Sequence, residues 1–192
     1  LMSPFFNPGP IEHPRIPVFI AGVNTGLAKL CGEVCDGFHV HPYHTPAYLR
    51  EVLRPAIVAG VQKAAPARDL SAIQIAGSAF VVTSPAEHEF VRQQIAFYAS
   101  TPSYRPVLAH HGWETIGEQL SALAARGAWS AMPALITDEM LETFAVAAPL
   151  AELTAPLRER YAGLLERITL YRPYVPGQDD EGWRTLAEQL QD

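Results

Sequence analysis

Over its first hundred residues the chain repeatedly changes its hydrophobic period, and that alternation constrains the fold more than any other feature. Pro17 to Ala21 is a short, unbroken apolar run that stops at Gly22. A strand covered on both faces reads this way, without polar alternation. A helical stretch follows from Thr25 to Cys35, with Leu27, Leu30, Cys31 and Val34 on one stripe. Asn24 or Thr25 is placed to cap it, and Asp36-Gly37 to end it. Phe38 to His41 reads as a second strand. Thr45-Pro46 then opens a helix, a cap followed by proline at the first helical position, that runs to about Ala64 with a kink or break at Pro55. Ile73 to Val82 is the third strand. Ser84-Pro85 opens the next helix, with Glu87 completing a capping box, and Phe90, Val91, Ile95 and Tyr98 line it as far as Ser100. A β-α-β-α-β-α order implies parallel strands joined by crossover helices.

The flanks read differently. Residues 1–16, with Pro4, Pro8, Pro10 and Pro14, form an extended lead-in. Residues 102–147 show no strand pattern and are read as a helical insertion, with short helices at Tyr104–His110, Glu114–Ala125 and Asp138–Ala145. An insertion of that length is usually functional or interfacial. A helix over Leu150–Leu165 leads to a fourth strand, Arg167–Tyr171, and a terminal helix covers residues 180–191. Four βα units are half of what a closed (β/α) barrel of eight strands and about 250 residues needs. The pattern therefore allows a small open α/β sheet or part of such a barrel. The 192 residues are expected to form a single domain.

Composition excludes several classes. A formal net charge of -6 argues against nucleic acid or a membrane surface as partner. No apolar stretch is long enough to span a bilayer. Only Cys31 and Cys35 are present. Helical i,i+4 spacing suits a disulfide poorly, so both are expected free and buried, as in a cytoplasmic protein.

Three segments could carry chemistry. The turn Gly22-Val23-Asn24-Thr25-Gly26 joins a strand to a helix N-terminus, where free N–H groups and the helix dipole favour an anion. An ordinary strand–helix turn reads the same way, and the spacing fits neither the dinucleotide fingerprint nor the P-loop. His39 and His41 share one side of the second strand, with His44 close behind. Ligand contact, a metal-dependent hydrolase site at His39, His41 and His44, or purely structural histidines all remain open. Tyr104-Arg105-Pro106 and His110-His111-Gly112-Trp113 fall in the helical insertion, where Arg, His and Trp together could line a pocket or an oligomer interface. No Ser-His-Asp order, Gly-x-Ser-x-Gly elbow or cysteine nucleophile is present, and no catalytic residue or metal ligand is assigned.

The order Pro17-Val18-Phe19-Ile20-Ala21-Gly22, followed by Leu27-Ala28-Lys29-Leu30-Cys31-Gly32-Glu33-Val34-Cys35-Asp36-Gly37, resembles the luciferase-like monooxygenase family. The stretch from Gln94 to Leu108, with His111-Gly112-Trp113, is similar to its deazaflavin-dependent oxidoreductase branch. The resemblance runs from about Ser3 to Pro173. It implies an α/β fold, the C-terminal half of a partial TIM (β/α) barrel with a helical insertion at about 102–147. It also implies an oxidoreductase that moves a hydride between coenzyme F420, a deazaflavin, or alternatively FMN, and a small organic substrate. By position the phosphate tail of the coenzyme falls on Val23, Asn24 and Thr25, between Gly22 and Gly26, with a further contact at His41. His39, His44, Arg105 and His111 are the candidates for the pocket. Relatives often carry Gly-Gly or Gly-Pro where this chain has Val23-Asn24-Thr25. The N-terminal half that supplies much of the ring pocket has no counterpart here. The 192-residue chain is thus expected to be inactive alone, and to self-associate through unpaired edges as a homo-oligomer or a non-catalytic remnant.

Overall fold

In the computed structural model, residues 9–10 and 12–191 are described. Pro4 and Pro8 of the expected lead-in lie outside the described residues. Five strands form one all-parallel sheet: β1 (Phe19–Gly22), β2 (Gly37–Val40), β3 (Gln74–Val82), β4 (Ala145–Ala147) and β5 (Arg167–Tyr171). The register sets Phe19 opposite Gly37, and Gly37 opposite Gln74. Phe80 pairs with both Ala145 and Tyr171, so β4 and β5 flank β3 on opposite sides. Along Ala76 and Gly77, β3 is held by β2 and β5 together, which puts these two on opposite sides as well. β4 therefore continues the side that β2 occupies, beyond the end of β2.

β4 corrects the sequence reading, which left residues 102–147 without a strand. Ala145-Val146-Ala147-Ala148 has a single β-branched residue and reads as helix. Tertiary context overrides that preference: Ala145 and Val146 are buried, and the Ala148 N–H donates to the Val82 carbonyl at 3.1 Å.

The helices are α1 (Thr25–Val34), α2 (Pro46–Tyr48), α3 (Arg54–Val61), α4 (Glu87–Ala99), α5 (Arg105–Ala109), α6 (Glu114–Ala125), α7 (Asp138–Phe144), α8 (Thr154–Tyr161) and α9 (Asp180–Gln191). Between α2 and α3 a π turn spans Leu49–Leu53, with the Arg54 N–H reaching back to the Leu49 carbonyl. Pro55 has no N–H to give the fourth carbonyl before it, which is why the break falls here. Thr45 caps α2 by accepting from the Tyr48 N–H at 3.1 Å. The capping box expected at Ser84 is drawn differently. The Glu87 carboxylate accepts from the Thr83 N–H (2.6 Å) and hydroxyl (2.9 Å), and pairs with Arg172 at 2.8 Å.

α1 and α3 cross at two glycines. A methyl on Gly32 would stand 2.0 Å from the Ile57 carbonyl oxygen, and one on Gly60 would stand 1.9 Å from that of Lys29. Absence of a side chain at both positions lets the backbones touch. This pair seals Cys31 and Ile57 over Phe38 and Ile75. A second apolar cluster joins Ala79, Val81 and Val146 to Leu153, Leu157, Tyr161 and Leu186 under α8 and α9. Cys31 and Cys35 are free and buried, and burial pushes the Cys31 thiol up to about 12.

Candidate functional site

The turn after β1 and the end of β2 are brought together by one bond, from the His41 N–H to the Gly22 carbonyl at 3.1 Å. Val23 is buried, so it offers only its backbone to a ligand. Asn24 stands at the cap position of α1 with extended backbone, yet its side chain does not cap the helix. Its amide instead donates to the Ser103 carbonyl at 2.8 Å, which ties the turn to the insertion. The N–H groups of Thr25, Gly26 and Leu27 take part in no hydrogen bond among the described residues, and the first turn of α1 carries no acid. Three free donors and an unneutralised dipole end remain, as an anion requires. Asn24 Oδ1 is also buried without a partner. The turn opens on a cleft of about 330 Å³, lined by Asn24, Thr25, Tyr48, Val52, Pro106 and His110. The His110 ring sits 3.3 Å from the Glu51 carboxylate on its rim.

His41 is the centre of an aromatic cluster. Its ring lies 4.8 Å from that of Tyr98 and 4.7 Å from that of Tyr104. The Tyr43 N–H donates to His41 Nδ1 at 3.1 Å, so the neutral ring carries its proton on Nε2, which faces the Tyr104 hydroxyl at 3.3 Å. Burial holds the His41 pKa below its ordinary value and favours that neutral form. Beyond Tyr98, hydroxyls meet at 2.9 Å between Tyr98 and Tyr171, and Tyr171 donates to Gln94 Oε1 at 3.2 Å. Phe80 packs against Tyr171 with rings 4.8 Å apart. These groups gather at the C-terminal ends of β2, β3 and β5, the end at which parallel α/β sheets carry their sites.

The remaining candidates are dispersed. His39 is exposed and leans on the Phe19 ring at 5.3 Å. His44 is closed to solvent, donating from Nδ1 to the His41 carbonyl at 2.8 Å, and burial lowers its pKa to about 4. It therefore positions His41 and cannot itself be reached. His111 shares a 2.8 Å bond with the Thr45 hydroxyl, stacks on Trp113 at 4.8 Å and has its pKa lowered, first by burial and then by His110. Arg105 reaches Ser121 of α6 at 3.3 Å. Among the described residues no group of three His, Cys, Asp or Glu side chains could hold a metal ion, and His39, His41 and His44 do not converge. Tyr104 belongs to the candidate segment in the insertion, whereas Tyr98, Tyr171 and Gln94 were not singled out as site residues in the sequence. Gln94 and Tyr98 share α4, four residues apart, while Tyr104 and Tyr171 lie on other elements that only the fold brings to them. A larger cleft, about 870 Å³, lies elsewhere, against α7, β4 and α8. Its Arg160 is committed to the carbonyls of Glu142 (2.8 Å), Thr143 and Ala145 (3.0 Å).

Comparison with known proteins adds the following. The model of the family described as luciferase-like monooxygenase matches residues 1–167. Uncharacterized proteins of Mycobacterium tuberculosis and Mycobacterium bovis are 40% identical over 174 residues, which is 88% of this chain and 51% of theirs. The chain thus spans about half the length of the curated relatives it matches. Among solved structures, a coenzyme F420 dependent tetrahydromethanopterin reductase from Methanopyrus kandleri superposes with a TM-score of 0.68 at 18% identity, over 92% of this chain and 50% of that one. An F420-dependent secondary alcohol dehydrogenase, in complex with an F420-acetone adduct, gives 0.61 at 17% identity, over 94% and 50%. At these identities the likeness is one of fold. No helix among the described residues is long and apolar enough to cross a membrane.

Proposed function

Because the chain belongs to the luciferase-like monooxygenase family, we propose that it contributes the coenzyme-tail half of an F420-type oxidoreductase site, within a (β/α) barrel of which these residues are the C-terminal part. The observation that carries this reading is the uncapped N-terminus of α1, with three free N–H groups, at a turn that Asn24 ties to the insertion and whose Asn24 and Thr25 line a cleft. The coenzyme, when bound, supplies hydride chemistry toward a small organic substrate. The free N–H groups of Thr25, Gly26 and Leu27 would hold its phosphate, with Asn24 fixing the turn. His41, kept neutral by burial, presents its Nε2 proton beside Tyr104 and offers a polar contact without placing a charge in the site. FMN also carries a phosphate on its side chain and is the alternative. The solved structures of similar fold named for F420 favour the deazaflavin.

What completes the barrel is a separate matter. Leu27, Leu30 and Val34 form an exposed apolar stripe on α1 (46%, 45% and 64% exposed), and Val18 beside β1 is 53% exposed. A further βα unit would cover such a flank, whether from a longer parent chain or from a second copy. The test of function is a fluorescence titration of the purified chain, at measured oligomeric state, with F420 and with FMN. Saturable quenching by F420 that inorganic pyrophosphate competes away supports the reading. A folded sample that binds neither coenzyme overturns it.

A further inference from the structure

Two large aromatic side chains stay half exposed where nothing in the coenzyme site needs them. Phe97 on α4 is 50% exposed, and Trp129, in the short 3-10 turn Trp129–Ala131, is 51% exposed. Their rings are 6.2 Å apart, tilted by 40°. With Gln93, Gln94, Ser130 and Met132 they line a cleft of about 500 Å³. Small-molecule sites have volumes of about 300–1,000 Å³ and combine apolar walls with a few placed polar groups.

The chemistry of the lining narrows the ligand. No charged side chain lines this cleft, in contrast to the larger one bordered by Arg50, Asp138, Glu142, Glu159 and Arg160. An anion or an ammonium would find no counter-charge in it. Aromatic faces instead favour a flat ring. Gln94 then sets the polar requirement. Its Oε1 is occupied by the Tyr171 hydroxyl at 3.2 Å, while its Nε2 makes no hydrogen bond among the described residues. An amide with its oxygen used and its nitrogen free calls for an acceptor on the ligand. Tyr171 continues to Tyr98, whose ring touches His41, so the cleft adjoins the aromatic cluster at the strand ends.

We propose that this cleft binds an uncharged, ring-bearing small molecule through a carbonyl oxygen, with the ring against Trp129 and Phe97 and the oxygen on the Gln94 amide. Taking that molecule as the substrate rests on the oxidoreductase reading above; the binding itself does not.

The test uses the intact chain and two matched probes, α-tetralone and its hydrocarbon tetralin, followed by the indole N–H resonances of the three tryptophans. The expected result is a saturable shift of one indole, identified as Trp129 by its loss in Trp129→Phe, with tetralone bound more tightly than tetralin. Trp129→Ala should weaken tetralone by ~10-fold or more, the loss of about one aromatic contact. Gln94→Glu keeps an acceptor for Tyr171 and removes the amide donor. It should bring tetralone down to the level of tetralin and leave tetralin unchanged. Three results would overturn the proposal: no saturable shift, a shift confined to Trp113 or Trp183, or equal tetralone affinity in Trp129→Ala. Tetralone binding by a chain that binds neither F420 nor FMN would leave the cleft standing and remove the oxidoreductase reading.

Discussion

Replacing Gly60 by alanine sets two effects against each other, and the structure decides which wins. Within a helix, glycine to alanine gains about 1 kcal/mol in propensity. At this position the added methyl would lie 1.9 Å from the Lys29 carbonyl oxygen and 3.0 Å from the Glu33 nitrogen. Ordinary contact needs about 3.4 Å, so α1 and α3 would have to part by roughly 1.5 Å, because a carbonyl inside a helix cannot swing aside. A radial gap of even 0.5–1 Å forfeits about a quarter to a half of each dispersion contact it opens. Overpacking a closed site costs about 1–3 kcal/mol, and here backbone, not a flexible side chain, is the obstacle. Taking the upper end, about 3 kcal/mol, and subtracting the propensity gain of about 1 kcal/mol, a net loss of about 2 kcal/mol is expected. The assay is urea unfolding followed by circular dichroism, with Gly26→Ala as control, since a methyl there meets nothing within 4 Å. The control should be neutral or slightly more stable. Gly32→Ala should resemble Gly60→Ala, and the double variant should cost less than the two losses together, since one separation relieves both clashes. A Gly60→Ala protein as stable as the parent, within about 0.5 kcal/mol, would refute the close crossing as described.

Other expectations follow from the site and its supports. Gly26→Asp adds a carboxylate to the first turn of α1 and should stabilise the fold by about 0.5–1 kcal/mol. The same charge should weaken F420 binding ~10-fold or more, so a melt and a titration should move in opposite senses. Between its ordinary value near 6.5 and its buried value of about 4, His44 takes up a proton more readily unfolded than folded. Stability should therefore decline as pH falls through that window, by about 3 kcal/mol in all, and be complete above it. His44→Asn, which keeps a donor for the His41 carbonyl, should flatten this part of the pH profile in urea midpoints. Arg160→Met strips donors from three carbonyls at the end of α7. It should cost about 2–3 kcal/mol, read as a lower melting temperature.

The alternation of strands and helices was legible because parallel strands covered on both faces read as unbroken apolar runs, and because Thr45-Pro46 and Gly22 punctuate them. β4 escaped notice because three alanines around Val146 carry a helical preference that burial against β3 overrides. The capping box failed at Ser84 because the Glu87 carboxylate reaches one residue farther back, where Arg172 also holds it. Of the site, the Gly22–Gly26 turn could be read from sequence, being local. Its defining property, a cap residue that does not cap, could not, since it depends on Ser103 being 79 positions away. The rings against His41 come from Tyr98 and Tyr104, with Tyr171 reached only through Tyr98, and no spacing in the sequence links them to His41.

The divided side of β3 bears on how this protein opens. Gln74 to Gly77 are held by β2, whereas Phe80 to Val82 are held on the same side by β4 at the end of the insertion. Amide protons along a single strand should then exchange with solvent in two blocks, one released by excursions of the insertion and the other only by loss of the whole sheet.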